Sequence, residues 1–183
     1  MGRRLGVSRE EGETAAVTKP EPWLIRLRPV SATAVRFLKV DPRPTAVVAQ
    51  TTTWAEFPSL WGQLLGEVYG FVRARTDLAT GSGGELWQNV MLYKDQRPDV
   101  EVGVLVTAPF ETEGRVIASE LPGGEVATAT HRGEYTRLRV THDAVREHVA
   151  DRGRELAGPC WEIYGHGRAD PSEQETEVFW LLR

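Results

Sequence analysis

The sequence predicts an α+β domain in which the order strand-helix-strand-strand occurs twice. Three observations lead there. Val100, Val102, Val104 and Val106 share one parity, the alternation of a half-buried strand. Leu60, Leu64, Val68 and Phe71 recur at steps of three and four, and so do Leu138, His142, Val145 and Val149, which marks two amphipathic helices. The second half follows the element order of the first at an offset of about 80 residues, as an internal duplication with little residue identity would.

Taken in order, residues 1–20 are polar, glycine-containing and aperiodic, cannot repay the entropy of ordering, and are expected to form a disordered tail. Residues 21–43 read as an N-terminal extension, with loose strand-like alternation at 23–30 and a second short apolar stretch at 34–40. The domain proper is expected over 44–183, with halves at about 44–110 and 111–183. Its first half reads as a β-branched strand at 45–53, a helix within 56–75, a glycine loop at 80–85, a strand at 86–93, a turn at Arg97 and Pro98, and a strand at 99–107. The second half has 115–121 leading into the turn Leu121-Pro122-Gly123-Gly124 and a strand at 125–131. A helix starts after Gly133, carries Tyr135 to Leu156 on its apolar stripe and stops at Gly158 and Pro159; strands at 160–166 and 176–182 close the chain.

Composition removes several functions. A net charge of -4 gives no field able to hold a polyanion, so no direct nucleic-acid binding is expected. Residues 1–40 are too short and too polar or strand-like for a helix-turn-helix, which predicts a stand-alone domain. The single cysteine, Cys160, excludes an internal disulfide and a cysteine-rich metal centre; no metal and no cofactor are expected. Four histidines without Cys-x-x-Cys-His put heme far behind. Gly81, Gly83 and Gly84 lack a following Lys-Ser/Thr, and no Gly-x-Ser-x-Gly elbow occurs, so neither a phosphate loop nor a serine hydrolase is indicated. No export signal follows Arg3 and Arg4, and no window nears the ~20 apolar residues of a membrane span, so the reading is cytoplasmic, with no membrane role.

Glu162 is the most informative residue, a carboxylate in mid-strand between Trp161 and Ile163. Alternation puts Cys160, Glu162, Tyr164 and His166 on one face, with Trp161 and Ile163 expected on the other, against the helices. A buried carboxylate costs several kcal/mol unless it is paired, so Glu162 is paired, is perturbed, faces a wet cavity, or lies on an exposed sheet face. His131 ends a strand before Gly133 and is a candidate partner, although such a histidine is more often hydrogen-bonded structure. Arg132 is the candidate for a structural ion pair, and His142 reads as a packed core residue. The six tryptophans exceed what a core of this size needs.

The strings Leu121-Pro122-Gly123-Gly124, His131-Arg132-Gly133-Glu134-Tyr135 with Leu138, Trp161-Glu162-Ile163-Tyr164 and Thr176-Glu177-Val178 resemble the GyrI-like small-molecule-binding family. That family includes the ligand domains of multidrug-responsive regulators. The resemblance spans about 44–182, with Trp54, Leu60, Trp61 and Tyr93 in plausible places. It implies pseudo-two-fold symmetry, helices on one face of an antiparallel sheet and a ligand pocket on the other, with Glu162 as anionic anchor and aromatic walls. Glu162 and Tyr164 carry over directly; Trp87, Tyr93, Tyr135, Trp54 and His131 complete the expected ligand-binding set. The reading is a binder of lipophilic, cationic aromatic small molecules for sensing or sequestration. The alternative is a hydrolase of strained electrophilic natural products, with Glu162 as general base and Tyr164 or Tyr135 as proton donor. A third is a protein-inhibiting module whose partner would be a protein such as DNA gyrase.

Overall fold

The computed structural model describes residues 34–81, 87–95 and 99–183; the expected tail at 1–20, the stretch 23–30, most of the loop 80–85 and the Arg97-Pro98 turn lie outside the described residues. The elements are β1 (Arg36–Val40), β2 (Arg43–Thr51), α1 (Phe57–Val72), β3 (Asn89–Tyr93), β4 (Asp99–Leu105), β5 (Ile117–Leu121), β6 (Gly124–Arg132), α2 (Leu138–Asp151), β7 (Leu156–Tyr164) and β8 (Glu175–Leu182). Both helices and the strands follow the periodicities of the sequence. The chief difference is the end of α2. Gly153, at φ +62°, takes the left-handed position that ends a helix, with Gly153 N–H on the Ala150 carbonyl at 2.9 Å and Arg154 N–H on the Val149 carbonyl at 3.0 Å. Leu156 therefore starts β7 and is not helical. Gly158, at φ +121°, falls in the register shift between Leu156 and Cys160, an irregularity that accommodates Pro159 within a strand.

All eight strands form one antiparallel sheet in the order β1-β6-β8-β7-β3-β4-β2-β5. Exchanging each of β1–β4 for the strand four places later returns the same order read from the opposite edge. The apolar stretch ahead of β2 is part of this pattern: β1 pairs with β6 at one edge, as β5 pairs with β2 at the other.

This order forces the sheet to curl. β1 and β2 stand six strand spacings apart, ~29 Å in a flat sheet, yet only Asp41 and Pro42 join them, a link that reaches about 10 Å. Pro122 and Gly123 join β5 to β6 across the same separation. Both short links are satisfied only if the edges bend toward each other, and the links do touch: a Cβ on Gly123 would lie 2.5 Å from Pro42 Cδ. The inner face of the curl is filled by Val90, Leu92, Leu105, Trp161, Ile163 and Phe179, joined by Leu121 from one edge strand and Leu38 and Val40 from the other. Trp161 and Phe179 stack there at 5.3 Å and 8°.

Both helices lie on the outer face. Phe57, Leu64, Leu65, Val68 and Val72 of α1 pack with Ala46, Val48, Met91, Val100, Val102 and Val104; Val145 and Val149 of α2 pack with Ala127, Ala129 and Leu182. Met91 pairs with Glu162 and Glu162 with Val178, so these residues share one face. This corrects two expectations. Trp161 and Ile163 turn away from the helices, and Glu162 faces the helical side, because the opposite face is closed by the curl around the Trp161–Phe179 cluster.

Candidate functional site

α1 packs chiefly on β2 and β4, and α2 on β6 and β8, which leaves the central pair β3 and β7 as a floor between them. Glu162 sits on that floor, 4% exposed. Its Oε1 lies 2.7 Å from His142 Nε2 on α2. Its Oε2 accepts from Tyr93 OH on β3 at 3.3 Å and from Tyr164 OH two residues along β7, the tightest contact of the group. Burial, and then the charge of Glu162, hold both tyrosines well above their ordinary pKa of 10, so the hydroxyls stay protonated and donate. Cys160, on the same face, is pushed up to about 12 by burial and then by Glu162, with Arg146 acting in the opposite direction. Both hydroxyls also lie near Met91 Sδ, at 3.6 Å for Tyr93 and 3.4 Å for Tyr164.

Each of these half-buried tyrosines is backed by a more exposed ring. Trp54, before α1, lies on Tyr93 at 5.6 Å, with Phe57 edge-on to Tyr93 at 6.1 Å; Tyr135, before α2, meets Tyr164 edge-on at 5.3 Å. Trp54 is 56% and Tyr135 40% exposed, so one aromatic ring stands at the surface on each side of the carboxylate.

A comparison within the chain shows what is unusual. Two carboxylates are buried among the described residues, Glu101 and Glu162. Glu101 is ion-paired with Lys94 and accepts from Ser119 Oγ at 2.7 Å. Glu162 has no lysine or arginine partner among the described residues; Arg132 pairs instead with Glu175 at 2.6 Å. Glu162 is held by two tyrosyl hydroxyls and the His142 imidazole, an arrangement without a permanent cation.

Of the expected set, the structure brings Glu162, Tyr164, Tyr93, Trp54 and Tyr135 together. Trp87 stands apart, edge-on to Tyr69 at 6.4 Å, and lines a cavity of about 190 Å³ that touches the cluster through Tyr164. His131 is used locally: Nδ1 is 2.8 Å from Thr141 Oγ1 and Nε2 is 3.0 Å from the Glu134 carbonyl. Sequence reasoning missed His142, assigned to the core by its place on the stripe, and Trp180, whose Nε1–H donates to His142 Nδ1 at 3.1 Å. The parity that places Val178 opposite Glu162 also places Trp180 on the helical face, and was the available signal. A second cavity of about 160 Å³ is lined by Gln88, Thr130, Ile163, Gly165, Glu175 and Glu177. Neither cavity reaches Glu162, and both are smaller than the ~300 Å³ at which drug-sized pockets begin. The carboxylate is covered by its own aromatic shell.

A sequence model of the GyrI-like small molecule binding domain matches residues 33–183. The chain belongs to the GyrI-like family. No curated protein matches it in sequence. Among solved structures it is similar to the C-terminal domain of EcmrR, with a TM-score of 0.64 at 19% identity over 82% of this chain and 98% of that one. It is also similar to SAV2435 bound to tetraphenylphosphonium, with a TM-score of 0.56 at 10% identity over 82% and 94% of the two chains. A hydrolase from Listeria innocua shows a TM-score of 0.53 at 12% identity over 81% and 91%. These likenesses establish the fold, an α+β GyrI-like domain, and the family makes it a small-molecule-binding domain. Among the described residues no helix is long and apolar enough to cross a membrane.

Proposed function

We propose that this GyrI-like domain binds lipophilic aromatic cations, with Glu162 as the anionic anchor, and serves in sensing or sequestration in the cytoplasm. The reading rests on one observation: a carboxylate held by two tyrosyl hydroxyls and an imidazole, with no lysine or arginine partner among the described residues, lies between two partly exposed aromatic rings, Trp54 and Tyr135. A cation whose charge is spread over a flat apolar body loses little on leaving water, gains the Glu162 charge, and adds about 0.5–2 kcal/mol for each aromatic face it covers. Because the carboxylate is covered, entry requires the Trp54 and Tyr135 rings to part, and their exposure makes that inexpensive. That a protein of this fold holds tetraphenylphosphonium supports the same ligand class.

The test is Glu162→Gln with two dyes of equal area, one cationic and one neutral. Loss of the charge in a poorly hydrated site should weaken the cationic dye by about 2–4 kcal/mol, ~30-fold to 1,000-fold, and leave the neutral dye nearly unchanged. Equal losses for both would remove Glu162 as anchor. A hydrolase resembling the fold neighbour would use Glu162 as general base on water with Tyr164 as donor, and a new product by mass spectrometry would replace binding by turnover.

A further inference from the structure

Building on the reading of Glu162 as an anion that a ligand must balance, we propose that Trp180 is a specificity-determining residue, which holds His142 neutral so that the protein cannot supply the balancing charge itself. An indole N–H only donates. Trp180 Nε1 lies 3.1 Å from His142 Nδ1, so Nδ1 must present its lone pair and the ring proton is assigned to Nε2. From there it donates to Glu162 Oε1 at 2.7 Å. A second proton could enter only at Nδ1, where it would meet the indole N–H head-on. Without that N–H, a histidine at this distance from a carboxylate is the ordinary setting for an imidazolium–carboxylate pair, and such a pair would satisfy Glu162 from inside.

The other groups around His142 do not alter this. Tyr93 from β3 and Tyr164 and Cys160 from β7 keep their protons, for the reasons of burial and charge already described. His131 on β6 is turned to Thr141 and the Glu134 carbonyl. On α2 itself, Arg146 lies over the Trp180 ring at 5.8 Å and 3.7 Å from Asp143, so the charges that flank His142 on its own helix are a cation and an anion already paired with each other. His142 and Trp180 thus act through Glu162 as positioning residues. The consequence is a site whose preference for cations persists into mildly acidic conditions.

Two measurements test this. Nitrogen-15 correlation spectra of the ligand-free wild type, with His142→Gln to assign the signal, should show the Nε2–H neutral tautomer of His142 from pH 8 to pH 5.5. The dissociation constant of tetraphenylphosphonium, whose charge does not titrate, should change less than about twofold over that range in the wild type. In Trp180→Phe it should weaken about tenfold at pH 5.5, the loss expected when about nine in ten molecules carry an imidazolium that already balances Glu162. Trp180→Phe/His142→Gln should be flat again. An imidazolium or Nδ1–H form in a wild type that binds the cation overturns this inference alone, as does a folded Trp180→Phe with a flat profile. If Trp180→Phe does not fold, the wild-type spectrum decides. A wild type that does not bind the cation overturns the anchor reading and the specificity role together.

Discussion

Glu162→Gln removes one charge at nearly constant volume, and the structure sets two opposing terms for the ligand-free protein. The gain is relief from keeping a carboxylate at 4% exposure without a fixed cation, a cost of several kcal/mol that its three hydrogen-bond donors offset only in part. The loss is one mismatch. The amide oxygen can keep both tyrosyl hydroxyls, but the amide nitrogen then faces His142 Nε2–H donor to donor, which leaves two buried N–H groups unsatisfied at about 1–3 kcal/mol each. We expect the first term to match or exceed the second. The variant should therefore melt at the parent temperature or up to about 4 °C above it, since 1 kcal/mol moves the midpoint ~2–4 °C for a chain of this size. Calorimetry at pH 7.5 without ligand, with urea midpoints as a check, measures this. Glu162→Met is the contrasting arm: it strips the acceptor from all three donors, Met91 Sδ is only a weak substitute for the tyrosines, and a loss of about 3 kcal/mol or more is expected. A fall of more than about 4 °C in Glu162→Gln would mean that the carboxylate is scaffold, and the argument that its burial is a sacrifice for binding would fail.

Two further outcomes follow from the fold and its buried hydroxyls. Gly123→Ala places a Cβ 2.5 Å from Pro42 Cδ, a ring atom fixed by backbone, so the crossing links must separate and the urea midpoint should fall by the equivalent of about 1–3 kcal/mol; an unchanged midpoint would contradict the close crossing that the curl requires. Tyr93, Tyr164 and Cys160 keep protons in the folded chain that they release when unfolded, near pH 10 for the tyrosines and pH 9 for the thiol. Their contribution is whole below about pH 9 and is lost as pH rises toward the folded values, so the urea midpoint should decline above that pH, with Cys160→Ala flattening the first part of the decline. A midpoint level to pH 11 would contradict the assignment.

What was legible in the sequence was local. The valine parity of β4 and the steps along α1 and α2 are set by nearest neighbours, and they fix the elements without reference to the rest of the chain. The end of α2 was misread because Gly158-Pro159 looks like a stronger stop than Gly153, yet a bulge absorbs both residues within β7. Whether Glu162 faces the helices was not legible at all. That depends on the curl, and the curl depends on Asp41-Pro42 and Pro122-Gly123 being short links only in relation to a strand order that no local pattern encodes. His142 shows the same limit from the other side. Its place on an apolar stripe predicts a core residue, and only the packing of α2 on β6 and β8, beside β7, turns that stripe position toward a carboxylate and an indole.

The curl also accounts for where a charge can be kept. On β3 and β7 the inner face is occupied by Val90, Leu92, Trp161 and Ile163, and Glu162 with its donors is gathered on the outer floor between the helices. The donors that hold Glu162 come from both halves of the sequence: Tyr93 from β3, and Tyr164 and His142 from β7 and α2, with Trp180 of β8 donating in turn to His142. Neither set alone satisfies the carboxylate, since Oε2 relies on a tyrosine from each side of the β3–β7 seam and Oε1 on the helix above. Pairing of β3 with β7 is thus the event that assembles the anion site, and the same pairing brings Trp54 and Tyr135 to its two flanks. Anchor and aromatic walls are then set by one strand register, Met91 opposite Glu162, so a slip of that register would invert every side chain of the floor and abolish the site while leaving each helix intact.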